Sequence, residues 1–230
     1  MEWVTINRKR DSRFRRQSFS FDSLASVYDT WFEEEGKTIF AIEVEAFREI
    51  LPLLAKPWLE VGVGSGRFAQ ALGVETGLDP SIQLLKMARS RGINVLLGKG
   101  EDTPFRSGTF GAVFCIVTLC FVASPLEVLR EANRLLKQSG QVVLGLVLRE
   151  SPWGRFYQVK KENGHRFYKH ATFYSYAEVT ELLNQAGFSL DKIISTLFQR
   201  PGEVEHVESP QEDFFSDAGF TVILASKSPP

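Results

Sequence analysis

Three glycines at alternate positions, Gly62, Gly64 and Gly66, follow the apolar run Trp58-Leu59-Glu60-Val61. Glycine there permits positive φ and lets the backbone approach a ligand closely. Free N–H groups at the start of a following helix favour polar or anionic groups. One carboxylate, Glu60, stands at the loop entry; a second, Asp79, closes the next apolar run, seventeen residues after Gly62. An acid about 20 residues beyond such a loop is placed to accept hydrogen bonds from ribose hydroxyls. The chemistry implied is the holding of a nucleoside cofactor. Each acid also has a structural alternative: Glu60 as a paired core acid, Asp79 as a cap on the helix that starts at Pro80-Ser81. Two acids flanking one glycine loop favour the ligand reading. A dinucleotide loop would carry G-x-G-x-x-G, with its third glycine at 67. That position is Arg67, which argues against a nucleotide-dependent oxidoreductase.

Such a loop must be positioned by a sheet, and the flanking patterns supply one. Residues 58–61, 74–78, 93–97, 110–117 and 142–148 read as buried strands. Between them, residues 67–72, 81–89 and 124–136 read as helices, with Ile82, Leu85 and Met87 on the second and Leu126, Leu129, Ala132 and Leu136 inward on the third. Strands alternating with helices imply a parallel sheet covered on both faces. The run 110–117 is almost wholly apolar, as a central strand requires. Upstream, residues 19–54 read as two helices. Leu24, Val27, Tyr28, Trp31 and Phe32 recur at spacings of three and four, with Ser23, Ser26 and Asp29 as candidate caps; the second helix spans 38–53, with Phe40, Val44, Phe47, Ile50 and Leu51 on its apolar face. Ser139-Gly140 reads as a turn. Residues 151–171 break the alternation with a helix ending near Asn163-Gly164, and 178–185 is helical again. Residues 193–198 and 220–225 are final strands, antiparallel at one edge, with 201–217 a surface loop between them.

The chain has 230 residues, 43% hydrophobic and 24% charged, with a net charge of −1. That composition suits one globular domain over 19–230, preceded by a basic, flexible tail over 1–18. Lid helices would occupy 19–54 and a lid insertion about 149–175. The near-neutral charge argues against nucleic acid. Only Arg8, Lys9, Arg10, Arg13, Arg15 and Arg16 cluster, and their sharper reading is an anion or RNA contact, or closure over the site. No apolar stretch approaches the roughly 18 residues of a membrane span, and no signal core is present. Cys115 and Cys120 share one apolar run and do not suggest a disulfide framework. The chain reads as cytoplasmic, monomeric or homodimeric, and without a bound metal.

Taken in order, several motifs resemble the class I S-adenosylmethionine-dependent methyltransferases, of the small-molecule "methyltransferase-11" type. They are Leu59-Glu60-Val61-Gly62-Val63-Gly64-Ser65-Gly66-Arg67-Phe68, Gly77-Leu78-Asp79-Pro80-Ser81, Gly98-Lys99-Gly100-Glu101-Asp102-Thr103-Pro104-Phe105, Phe110-Gly111-Ala112-Val113 and Leu135-Leu136-Lys137-Gln138-Ser139-Gly140. Phe21-Asp22-Ser23-x-Ala25-x-x-Tyr28-Asp29 resembles that family's N-terminal lid. The resemblance implies a doubly wound α/β fold with seven strands ordered 3-2-1-4-5-7-6, the last antiparallel. It implies that Glu60 and the loop Gly62, Val63, Gly64, Ser65, Gly66 hold the methionine portion of S-adenosylmethionine. Asp79 would hold the ribose; Pro80, Ser81 and Ile82, with Gly100, Glu101 and Asp102, would border the adenine. Val117 and Tyr28 complete the implied cofactor set. Lys99 stands where the family has an acid, which leaves the adenine amine to Glu101 or backbone groups and keeps open a cofactor-binding regulatory protein without catalysis.

Methyl transfer from a sulfonium is a one-step in-line displacement, so alignment and water exclusion carry most of the catalysis. A small-molecule acceptor would enter at the carboxyl end of the fourth strand, over Thr118, Leu119 and Cys120. Trp31, Tyr168 and His170 join that pocket from the lid elements. The insertion's Trp153, Phe156, Tyr157, Phe167, Tyr168, Phe173, Tyr174 and Tyr176 could form an apolar or cation-binding pocket, or pack the insertion onto the sheet. No side chain is singled out as a catalytic base.

Overall fold

The structure is a computed structural model that describes residues 12–228, with side chains from residue 21 onward. The elements are α1 (Ser12–Trp31), α2 (Lys37–Arg48), β1 (Trp58–Val61), α3 (Arg67–Leu72), β2 (Thr76–Asp79), α4 (Ile82–Ser90), β3 (Asn94–Leu97), β4 (Phe110–Ile116), α5 (Pro125–Leu135), β5 (Leu136–Leu146), α6 (Pro152–Glu162), α7 (Tyr176–Gln185), β6 (Phe188–Thr196), β7 (Gln211–Glu212) and β8 (Phe220–Lys227). The basic cluster lies before α1 and in its first turns, and its side chains fall outside the described residues. A boundary at residue 18 has no counterpart in the backbone, because α1 runs through it.

One sheet carries the strands in the order β3-β2-β1-β4-β5-β8-β6-β7. Strands β3, β2, β1, β4 and β5 pair in parallel, and β8 is antiparallel to both β5 and β6. Two details correct the sequence reading. The sheet has eight strands, not seven: Gln211 and Glu212, inside the supposed surface loop, pair with Ser195 and Ile194 at the outer edge. Only two residues extend there, too few to leave a period-2 signal. Nor do residues 136–141 turn before the fifth strand. They are already extended in β5, and the register shifts between Phe110 and Ala112 to absorb the extra length.

Every residue of β4 is buried, because helices cover both faces of the sheet. One apolar layer joins α2, α3 and α4 to the insertion rings; the other joins α5 and α7. Helix α5 turns Val128, Leu129, Ala132 and Leu135 inward. Leu129 and Ala132 are inward as read in sequence, but Leu126 is only half-buried and Leu136 belongs to β5, with Val128 and Leu135 completing the buried stripe. Likewise α4 buries Leu84, Leu85 and Ala88, with Ile82 and Met87 half-exposed. Ser23, Ser26 and Asp29 are interior to α1 and cap nothing there. The α1–α2 turn closes at Gly36, where a Cβ would lie 2.4 Å from the Trp31 ring. Among the described residues, no helix is long and apolar enough to cross a membrane.

Candidate active site

β1 ends against β2, and the chain must then reverse into α3. Gly62, Gly64 and Gly66 all take positive φ, +76°, +51° and +82°, conformations that cost an L side chain about 1–2 kcal/mol each. The turn is pinned on three sides. Gly62 and Val63 donate their N–H groups to the Leu78 carbonyl at 2.7 and 3.1 Å. Gly64 donates to Asp79 Oδ2 at 3.0 Å. Thr118, just past β4, donates its hydroxyl to the Val61 carbonyl at 3.1 Å, and a Cβ on Gly62 would collide with that side chain at 2.4 Å.

Asp79 is buried, and its other oxygen accepts the Ser81 N–H at 2.8 Å. Burial pushes its carboxyl up to about 6, while the N–H groups of Ser81 and Gly64 pull it down. A carboxylate offers about four acceptor positions, so two remain beyond these backbone bonds. Cap duty on α4 falls instead to Ser81, which accepts the Leu84 N–H, and to Asp22 of α1. Asp22 Oδ1 accepts the Ser81 hydroxyl at 2.6 Å and the Gln83 N–H at 3.1 Å. Glu60 lies deeper. Burial, then the neighbouring Asp79, raises its carboxyl well above the ordinary range, against the N–H of Ala69. Its Oε2 is buried without a hydrogen-bond partner among the described residues.

A cavity of about 830 Å³ opens beside this loop. Its walls include Gly62, Gly64, Asp79, Pro80, Gly100 and Glu101 at the loop end. Val117, Thr118, Cys120 and Phe121 form the floor past β4, and Phe21, Tyr28, Trp31 and Phe32 come from α1 and its end. Trp153, Phe156, Tyr157, His165, Phe167, Tyr168 and Phe173 reach in from the insertion. The roof is bound by ring contacts: Phe21 meets Phe121 at 5.3 Å and Phe167 at 6.3 Å between centroids, and Tyr28 meets Phe167 at 5.9 Å. Val117 has a φ of +50°, a real outlier for a β-branched residue, and such strain collects where chemistry needs a fixed backbone.

The lid helix is anchored by charge as well. Asp29 accepts Arg67 Nε at 2.9 Å and Nη2 at 2.7 Å, and Arg91 Nη2 at 2.8 Å. Burial opposes its ionisation, but the hydrogen bonds led by Arg67 win and hold it down at about 2. Arg91 also donates to the Ser65 carbonyl at 2.8 Å, so one carboxylate on α1 ties that helix to the α3 end of the glycine loop. Arg67, read in sequence only as the residue that breaks a dinucleotide pattern, is this latch.

Not every residue singled out in sequence reaches the cavity. Val63 packs beneath Gly77, and Gly66 against Ala88. Ser65, Ser81, Ile82 and Glu60 likewise stand behind the wall. Leu119 is corrected: the short turn Leu119–Phe121 points it into the α5/α7 layer, and Cys120 and Phe121 face the cavity instead. His170 and Asp102 are exposed and outside the lining, whereas His165 of the same insertion lines the cavity. Glu101 lines the cavity, but its Oε1 also accepts the N–H of Ala123 at 3.1 Å. Cys115 is core; Cys120 donates to the Val117 carbonyl at 3.5 Å, and burial pushes its thiol up to about 12.

Among the lining residues not read as site residues in the sequence is a buried acid. Glu43 of α2 is only 6% exposed. It interrupts the apolar stripe of Ile39, Phe40, Val44 and Phe47, and an acid at that register was the signal that could have found it.

A parallel sheet with a glycine loop, two buried carboxylates and a cavity at the carboxyl ends of β1, β2 and β4 defines a nucleoside-cofactor enzyme of the α/β class. The chain matches a family model described as a methyltransferase domain over residues 59–144. An uncharacterized protein of Mycobacterium tuberculosis is 42% identical over 203 residues, 87% of this chain and 71% of that one. One from Methanocaldococcus jannaschii is 37% identical over 207 residues, 90% and 98% of the two chains. A solved structure from Thermotoga maritima, described as a SAM-dependent methyltransferase and possible histamine N-methyltransferase, is 36% identical with a TM-score of 0.85. It covers 91% of this chain and 99% of its own. The chain belongs to the S-adenosylmethionine-dependent methyltransferases. Its cofactor is S-adenosylmethionine and its reaction the transfer of a methyl group.

Proposed function

We propose that the cavity is the site of methyl transfer to a small-molecule acceptor. The observation that carries this reading is the size and lining of the cavity. A volume of about 830 Å³ falls within the roughly 300–1,000 Å³ of small-molecule sites, and aromatic residues of α1 and the insertion line it. The relative from Thermotoga, described as a possible histamine N-methyltransferase, supports a small acceptor too.

The residues at the loop end fit the cofactor. Glu60 stands behind the cavity wall, but its buried Oε2 has no partner among the described residues; a buried carboxylate is costly until paired, so a cationic amino group reaching past the loop would satisfy it. The two acceptor positions left on Asp79 suit a pair of ribose hydroxyls. Gly64 keeps the wall thin, because a Cβ there would stand 3.6 Å from Tyr28. Pro80 and the Gly100-Glu101 backbone border the remaining face. When bound, S-adenosylmethionine supplies an electrophilic methyl group. The chain's own contribution is alignment and dryness. Val117, Thr118 and Cys120 set the floor, and Phe21, Tyr28 and Phe167 exclude water. Well-oriented partners can gain about 7–11 kcal/mol from such positioning. No protein base is assigned.

Calorimetry with S-adenosylhomocysteine tests the cofactor assignment. Wild-type protein should bind, and Asp79→Ala should bind at least tenfold more weakly, roughly the loss of one hydrogen bond to a charged group. Equal affinity would remove Asp79 from the site. Absence of binding to folded wild type would end the reading.

A further inference from the structure

Outside the cofactor-facing end, Glu43 is the buried carboxyl group of the lining; Glu34 and Glu35 also line the cavity but are exposed. Glu43 is 6% exposed and lines the cavity. No hydrogen bond or ion pair to it is formed among the described residues. A side chain in this apolar stripe of α2 would pack better as leucine or methionine, and burying an unpaired carboxyl is costly. The groups around it are rings. Tyr28 of α1, Tyr157 of α6 and Tyr168 of the following turn all lie within electrostatic reach of Glu43. The Tyr157 and Tyr168 rings pack tilted at 34° with centroids 4.4 Å apart. Tyr28 also feels Asp79 and Glu60, so this chamber adjoins the glycine loop, and Tyr168 feels Cys120 at the exit of β4.

We propose that Glu43 is the recognition group for a cationic nitrogen on the methyl acceptor, and that the acceptor is accordingly an amine or protonated azole seated among Tyr28, Tyr157 and Tyr168. This rests on the methyl-transfer reading of the cavity. Electron-rich ring faces attract cations and repel anions, and a buried carboxylate does the same with greater force. The rings already meet an ammonium: Lys160 Nζ lies 4.5 Å from the centroid of Phe156 and 6.0 Å from that of Tyr157. That lysine makes no ion pair with Glu43, whose titration is set by burial alone. Burial pushes the carboxyl up to about 8; an arriving cation supplies the charge that keeps it ionised. Glu43 and the ring faces disfavour an anionic acceptor, although Lys160 and Arg166 also line the cavity.

The test is calorimetry on the full chain saturated with S-adenosylhomocysteine. The probes are 2-phenylethylamine, tyramine and histamine, set against the neutral 2-phenylethanol and the anionic phenylacetate. At least one amine should bind about tenfold or more tightly than 2-phenylethanol, as a desolvated charge pair allows, and phenylacetate should not bind. Glu43→Gln should erase the preference for the amine while leaving affinity for S-adenosylhomocysteine unchanged, which also shows the variant is folded. Equal binding of amine and alcohol, an amine preference that survives Glu43→Gln, or no heat from any amine at millimolar concentration overturns the proposal. If S-adenosylhomocysteine itself fails to bind, the methyl-transfer reading falls instead.

Discussion

Replacing Glu43 by glutamine should change how stability depends on pH, and by an amount the structure sets. Burial moves the carboxyl from its ordinary 4.5 to about 8, with no compensating cation. Between these values the folded protein keeps a proton that the unfolded chain has released, so stability falls as pH rises through that window. The contribution of Glu43 is fully present below about 4.5 and lost once pH passes about 8. At about 1.4 kcal/mol per pH unit, the displacement amounts to on the order of 5 kcal/mol, an upper figure because water entering the cavity relieves part of the burial. Asp79, raised to about 6, and Asp29, held down at about 2, also shape the curve, but they are common to both proteins and cancel in the difference. Urea denaturation followed by tryptophan fluorescence at pH 5, 6, 7, 8 and 9 would measure it. Relative to wild type, Glu43→Gln should gain at least about 2 kcal/mol between pH 5 and pH 9, whatever constant offset the amide introduces. Curves that stay parallel within about 1 kcal/mol would show that Glu43 is solvated or paired, and would refute the burial argument.

Asp29→Asn should loosen the lid: losing ionic hydrogen bonds to Arg67 and Arg91 should cost about 1.5–3 kcal/mol, read as faster amide exchange in residues 21–31, and unchanged protection would show that ring packing alone holds α1. Gly66→Ala should lower the urea-unfolding free energy by at least about 1–2 kcal/mol, since φ is +82° and the new Cβ would lie 2.9 Å from the Ala88 Cα; an unchanged midpoint would mean the loop relaxes freely. His170→Ala, outside the cavity lining, should leave S-adenosylhomocysteine affinity within about twofold of wild type, whereas a tenfold loss would return His170 to the site.

The alternation of apolar runs with 3.6-period segments was enough to place strands and helices from Trp58 to Leu146, because each pattern is written in residues a few positions apart. The glycine loop was legible for the same reason: Gly62, Gly64 and Gly66 and the acids on either side sit within one strand–turn–helix–strand unit. Where reading went astray, the deciding partner was remote. Leu119 and Cys120 are chain neighbours of similar polarity, and only the turn after β4 decides which enters the α5/α7 layer and which faces the cavity. Two residues of β7 extend because Ile194 and Ser195 present an open edge, not because of their own propensity.

Local sequence thus determined the sheet, its parallel core and the position of the cofactor loop, since periodicity and backbone conformation are short-range properties. Tertiary structure alone decided which charges are expensive. Asp29 is stabilised because Arg67 and Arg91, 38 and 62 residues away, close on it. Glu43 makes no ion pair among the described residues, and the tyrosines within electrostatic reach of it come from α1, α6 and the insertion turn. The free energy of a carboxylate depends on the solvent and charge within a few ångströms, and those neighbours are assembled from distant parts of the chain.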